Sequence, residues 1–243
     1  MKQVRRLLRY FTLTEKLLWL FSTVIILFAF FIGEDTSVLS MIASLIGVTS
    51  LIFCAKGHPV GQVLIIVFSS IYGIISYRFA YYGEMLTYVG MTLPMAVLAL
   101  VSWLKNPFEK GKAEVRINPR LHAWEYYLLP FFTAAVTLIF YCLLKAFGTA
   151  NIIPSTVSVT TSFLAVYLTF RRNPYYALAY AANDIVLIVL WVLAAMKDAR
   201  YLSMLFCFVA FLANDVYGFI NWQKLSRKQK NGKIKKTPRQ ERS

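Results

Sequence analysis

Histidine is nearly absent from this chain: only His58 and His122 occur in 243 residues. Both fall in short predicted loops, which leaves no histidine-based metal centre to build. The three cysteines, Cys54, Cys142 and Cys207, lie in or at the end of apolar runs without paired spacing. They read as small apolar fillers, not as a disulfide framework or metal ligands. The sequence also lacks a G-x-x-x-x-G-K-[ST] nucleotide loop, an H-E-x-x-H helix, a G-x-S-x-G elbow and any soluble region large enough to hold a motor. The chain is therefore expected to be no enzyme and to need no cofactor, and any transport it performs must be downhill or coupled to ions or to later metabolism. Acidic residues are scarce too, 11 against 26 lysines and arginines, for a net charge of +15.

What is abundant is apolar surface, 58% of residues, with 16% aromatic. This composition indicates an all-α, polytopic membrane protein with aromatic belts at both interfaces. Eight apolar runs are long enough to cross a bilayer with their backbone bonds closed internally. They are predicted at about 17–32, 38–54, 60–81, 85–104, 124–147, 152–170, 175–196 and 201–222. Pro59, Pro154 and Pro174 stand at predicted helix starts, where the missing amide hydrogen is not needed. Pro94 and Pro130 fall inside spans, and Pro94, near mid-membrane, is the predicted hinge. The apolar run at the start is not followed by a small-residue cleavage site, so it is expected to be a retained span.

Charge sets the expected orientation. With both termini in the cytoplasm, 22 of the 26 lysines and arginines fall inside, and only Arg78, Lys145, Lys197 and Arg200 fall outside. The partner implied by this charge is the anionic lipid headgroups at the cytoplasmic face, not nucleic acid. The predicted organisation runs in six parts. Residues 1–37 hold a basic segment and the first span, 38–104 a three-helix unit, and 105–123 a basic cytoplasmic loop. Residues 124–150 hold a linker span, 151–222 a second three-helix unit, and 223–243 a basic tail expected to lack fixed structure.

The two units resemble each other. Ala55-Lys56-Gly57-His58-Pro59 parallels Phe170-Arg171-Arg172-Asn173-Pro174, Ser69-Ser70 falls on Asn183-Asp184, Tyr77 on Trp191, and Trp103-Leu104-Lys105 on Trp222-Gln223-Lys224. Three is an odd number of spans, so one helix between the units lets both run in the same direction. The result is one extra N-terminal helix plus a SWEET-like 3+1+3 parallel repeat.

Two Ala-Asn-Asp triplets, ending at Asp184 and Asp215, lie near the middle of the seventh and eighth spans. An aspartate there costs roughly 2.5–3.5 kcal/mol to insert. An interhelical polar contact returns about 0.6 kcal/mol on average, so a network that merely glues helices explains the pair less well than a cavity does. Ser69, Ser70, Thr92, Asn183 and Asn214 share that depth. Asn214, Tyr217 and Asn221 share one helical face, Asp215, Gly218 and Trp222 the next, and Thr133, Thr137 and Tyr141 a face of the fifth span. Trp222, at a span end, reads first as an interfacial anchor. Hydroxyls and amides beside aromatic rings suit a small polar ring compound. No lysine or arginine lies centrally in any span, which disfavours a phosphorylated substrate.

At the Asn-Asp helices the sequence resembles the PnuC family of vitamin transporters. Ala182 to Trp191 and Asn214 to Trp222 carry the likeness, with Ser70-Ile71-Tyr72-Gly73, Tyr82-Gly83-Glu84 and Trp103 similar to the family's first half. The resemblance implies uptake of nicotinamide riboside for NAD biosynthesis by facilitated diffusion, with a cytoplasmic kinase trapping the product. The expected substrate-binding residues are Ser70, Tyr72, Thr92, Asn183, Asp184, Trp191, Asn214, Asp215, Tyr217 and Asn221. The alternatives are a carrier of thiamine or another vitamin, a proton-coupled carrier using Asp184 or Asp215, and, further off, an intramembrane enzyme or a non-transporting scaffold. Whether the chain forms a homo-oligomer stays open.

Overall fold

The computed structural model describes residues 10–32, 38–78, 82–109, 113–149 and 151–236. The basic residues Lys2, Arg5, Arg6 and Arg9, the loop lysines Lys110 and Lys112, and residues 237–243 lie outside the described residues. Among the described residues there are eight helical stretches long and apolar enough to cross a membrane. They comprise α1 (Leu13–Ile32), α2 (Val38–Ala55), α3 (Val60–Arg78), the composite α4 (Tyr82–Thr87) with α5 (Leu93–Lys105), α6 (Ala123–Ala146), α7 (Ile152–Phe170), α8 (Tyr176–Ala195) and α9 (Leu202–Lys236). The described residues contain no strand, only an isolated bridge between Pro107 and Val115.

Between α4 and α5 the chain makes a π-helical turn, Tyr88–Thr92, immediately before Pro94. Proline has no amide hydrogen to give to the carbonyl one turn earlier, and the wider turn absorbs that loss. The fourth span thus changes pitch at Pro94 itself. The eighth helix corrects the expectation of an unstructured tail, because α9 continues past Trp222 to Lys236. The extension is held by Gln229, which is buried and whose side chain accepts from the Ile117 amide at 2.9 Å and donates to the Val115 carbonyl at 3.0 Å.

The last helix of each three-helix segment packs on the first helix of the other: α9 on α2, and α5 on α7. The same contacts recur at the aligned positions. Trp103 Nε1 donates to the Thr169 carbonyl at 3.0 Å, and Trp222 Nε1 donates to the Cys54 carbonyl at 2.8 Å. The two indole rings meet at 5.5 Å. Gly57 and Arg172 both take left-handed backbone conformations, φ 65° and 57°. Their carbonyls accept from the Val115 and Asn118 amides, both at 2.9 Å, so the loop before α6 runs as a strap across both turns. At Gly57 an added Cβ would also press on Val115 at 3.1 Å.

Helices α1 and α6 begin alike. Thr12 and Glu15 bond reciprocally at the start of α1, as His122 and Glu125 do at the start of α6, each satisfying amides that have no partner inside the helix. Each glutamate then reaches the basic residue of the next turn: Glu15 pairs with Lys56 at 3.1 Å, Glu125 with Arg171 at 2.6 Å. Arg172 beside it is held below the ordinary arginine value by burial and by the neighbouring Arg171 and Arg116.

Candidate functional site

The interior is filled at two levels by aromatic side chains. Toward the far end, where α1 finishes and α9 begins, Phe68, Tyr72 and Tyr88 pack together, with ring centroids 4.5 Å apart for the tyrosine pair. Trp191, Phe208 and Phe211 extend this cluster. Toward the opposite end, the Trp103–Trp222 pair closes the bundle, with Tyr176 4.7 Å from Trp222. Such rings fill space between helices without requiring polar partners on their faces.

Between the two aromatic levels lies a cavity of about 50 Å³. That holds a water or two, against roughly 300 Å³ or more for a small-molecule site. The structure is thus occluded, and a ring compound can enter only if the aromatic levels part.

The cavity wall is polar where the sequence is most expensive. Asp184 and Asp215, on α8 and α9, both line it, each only a few per cent exposed, with their carboxyl groups in hydrogen-bonding contact. The other oxygen of this contact, Asp184 Oδ2, is buried without a hydrogen-bond partner. Asn183, beside Asp184, is oriented by three hydroxyls from α7: Ser158 at 3.1 Å, Thr161 at 2.8 Å and Ser162 at 3.1 Å all donate to Oδ1. That fixes the oxygen in the protein and leaves Nδ2 as the donating end of the amide. Thr92, at the end of the π-helical turn, completes the group of expected residues that line the cavity. No lysine or arginine is among the lining residues.

The other expected residues go elsewhere. Ser70 donates to its own helix at Ile66 and sits on an outward groove with Gly73 and Tyr77; the buried hydroxyl of this pair is Ser69. Tyr72 and Trp191 belong to the far aromatic level, one layer beyond the cavity wall. Asn214 turns toward α1, donating to Ser22 Oγ at 2.9 Å. Tyr217 donates to Glu15 at 3.1 Å, and Asn221 to the Ala55 carbonyl at 2.8 Å. The reason is angular: successive helical residues differ by about 100°, so with Asp215 facing the cavity, Asn214, Tyr217 and Asn221 face α1 and α2. Trp222 is fully buried, not an interfacial anchor. Thr133, Thr137 and Tyr141 line an apolar groove of about 940 Å³ on the outside, between α6 and α7, where Thr137 and Thr160 share a hydrogen bond at 2.9 Å.

The lining residues not singled out from the sequence include Gln62, Tyr88, Tyr176 and Tyr180. Tyr176, Tyr180 and Asp184 recur every four residues, and so do Tyr88 and Thr92, a spacing that places each set on one helical face. Gln62 is a fully buried amide in α3 whose side chain donates only to Cys54 Sγ, at 3.4 Å.

Residues 37–224 match the family model described as nicotinamide mononucleotide transporter. A nicotinamide riboside transporter PnuC of Neisseria mucosa is 28% identical over 82% of this chain and 76% of its own length. Another from Haemophilus influenzae is 24% identical over 88% of this chain and 91% of its own. A solved structure, that of the vitamin B3 transporter PnuC, superposes with a TM-score of 0.77 at 26% identity, covering 90% of this chain and 94% of that one.

Proposed function

Because the chain belongs to the nicotinamide mononucleotide transporter family, we propose that it is a multi-pass membrane carrier of nicotinamide riboside, the unphosphorylated counterpart of nicotinamide mononucleotide. The family description and the names of the relatives differ by one phosphate, and the cavity supports the riboside. The observation that carries this reading is the charge of the wall: two aspartates and no lysine or arginine line it. A phosphate monoester taken from water into this wall would meet like charge and no cationic donor. The riboside presents a cationic aromatic ring and a neutral sugar, which suit carboxyl groups, tyrosine rings and amides.

In this reading Tyr88, Tyr176 and Tyr180 pack on the ring. Gln62, Thr92 and Asn183 bond the amide and ribose, and Asp184 and Asp215 offset the ring charge. Tyr72 and Trp191 act at the far aromatic level, whereas Asn214, Tyr217, Asn221 and Ser70 support helix packing. The carrier works downhill in a bacterial inner membrane with both termini in the cytoplasm, where a kinase phosphorylates the riboside and so prevents its return. The two three-helix segments act as parallel repeats that rock about the cavity, with the π-helical turn before Pro94 as hinge.

Titration calorimetry of the purified protein with the riboside and the mononucleotide tests the substrate. The riboside is expected to bind more tightly, and tighter binding of the mononucleotide overturns the reading. One observation favours a second reading, proton coupling: the Asp184–Asp215 contact is one that two carboxyl groups make through a shared proton. Uptake into sealed vesicles that collapses with the proton gradient would establish it.

A further inference from the structure

Five carboxyl groups are buried among the described residues, and four have evident partners: Glu15 with Lys56, Glu125 with Arg171, and Asp184 with Asp215. The fifth, Glu84, is 2% exposed and its Oε2 has no hydrogen-bond partner. It lies in the first turn of α4, where the helix dipole favours an acidic group. The dipole accounts for the residue type there but supplies no donor to Oε2. Nor can the group swing out to water easily, because the start of α4 is packed hard under the turn between α6 and α7. A Cβ added at Gly83 would lie 2.7 Å from Leu144 and 3.0 Å from Thr149.

The position of Glu84 relative to the cavity gives it meaning. Tyr88 is one turn further along the same helical face and lines the cavity, and its hydroxyl is within electrostatic reach of both Glu84 and Asp184. Tyr72, whose ring lies 4.5 Å from that of Tyr88, also feels Glu84. Running inward from the far end, the order is therefore a buried carboxyl with one unpartnered oxygen, a pair of tyrosine rings, and the aspartate pair. A cation crossing from that end passes an acidic group and two aromatic faces before it reaches the cavity, all features that attract positive charge.

We infer that Glu84 is an outer binding station for the cationic ring of the substrate, on the far side of the Tyr72–Tyr88 pair from the central cavity. The inference rests on the proposed substrate, since it requires a positively charged one. Discrimination by charge is the property it confers: the carboxyl group favours the pyridinium form of the nucleoside over a neutral one of the same shape.

The test is uptake into proteoliposomes of nicotinamide riboside and of its neutral 1,4-dihydro form, by the wild type, Glu84→Gln and Glu84→Asp. Glu84→Gln keeps the size and polarity of the side chain and removes the charge. It is expected to lower kcat/KM for the cation roughly tenfold, the size expected for one unit charge about 10 Å away at an effective dielectric of about 20. Uptake of the neutral form should stay within about twofold. Glu84→Asp keeps the charge and should keep the preference for the cation, which also serves as the test if Glu84→Gln fails to accumulate. Equal loss of both forms, no loss of either, or a Glu84→Asp protein without the cation preference overturns the inference while leaving the substrate intact. Wild-type vesicles that carry neither form overturn the proposed function, and this inference with it.

Discussion

Gln62→Leu separates binding from folding more cleanly than any other substitution at the cavity. The Gln62 amide is 1% exposed, lines the cavity, and donates only a long bond to a sulfur atom, Cys54 Sγ at 3.4 Å. Leucine has a similar volume and no polar atoms. Replacing a poorly bonded buried amide by an apolar group of the same shape is nearly neutral for stability. The same change removes a donor and an acceptor from the substrate. A neutral hydrogen bond contributes about 0.5–1.5 kcal/mol, so riboside affinity should fall roughly 2- to 13-fold. The melting temperature in detergent should barely move. Calorimetric titration and a melt on the same preparation measure both. Unchanged affinity would refute the placement of Gln62 at the substrate, and a large loss of stability would refute the claim that its bond to Cys54 is weak.

Asn183→Leu should differ by costing both quantities, because Ser158, Thr161 and Ser162 lose a common acceptor; Thr161 also reaches the Val157 and Ser158 carbonyls, which limits the loss to about 1–3 kcal/mol. Asn214→Leu should lower the melting temperature, by about 1 kcal/mol of lost contact to α1, and leave riboside affinity unchanged. At His58, burial and then the charge of Lys56 hold the imidazole below its ordinary value of 6.5, and the neutral Nδ1 accepts from the Val60 amide at 3.2 Å. The unfolded chain takes up this proton first, so the stabilisation is full above the ordinary value and declines as pH falls toward the lowered one. Melting temperatures at neutral and mildly acidic pH should diverge less in His58→Gln than in the wild type. For Trp103→Phe and Trp222→Phe, each single variant gives up a hydrogen bond to a buried carbonyl worth about 1 kcal/mol; a double-mutant cycle by chemical unfolding should show coupling, since the rings touch.

The eight spans were legible because hydropathy and proline position act locally, and Pro59, Pro154 and Pro174 stand within a few residues of the helix starts. The chemistry of the centre was legible in kind, through the cost of placing Asp184 and Asp215 in an apolar run. Its membership was less so. The face of α9 could be read from spacing, but spacing alone does not say which of two adjacent faces meets the cavity. Asn214 therefore looked equivalent to Asp215 until Ser22 supplied its partner from a helix nearly two hundred residues away in sequence. Tyr176 and Tyr180 were not singled out, since a tyrosine every fourth residue fits a packed helix as well as a ring platform. The tail read as unstructured because its composition is polar, whereas packing of Leu225 and the tertiary bonds of Gln229 to the strap hold that part of α9 in place.

The first helix, whose role its sequence leaves open, gains one from an asymmetry between two otherwise parallel arrangements. Glu125 of α6 bonds Arg171 and Tyr167, both on the side of the second three-helix segment, so its polar contacts tie α6 to that segment. Glu15 of α1 bonds Lys56 in the first segment and Tyr217 in the second. About two turns further along the same helix, Ser22 bonds Asn214 in the second segment again. Helix α1 therefore bridges the seam where α9 meets α2 with hydrogen bonds, whereas α6 reaches the first segment through apolar packing of Leu144 on Gly83. A relative rotation of the two segments must strain the α1 bonds on one side and meets no such tether on the other. The seam without a hydrogen-bonded bridging helix is the one that carries the π-helical turn, Pro94 and, at its far end, Glu84.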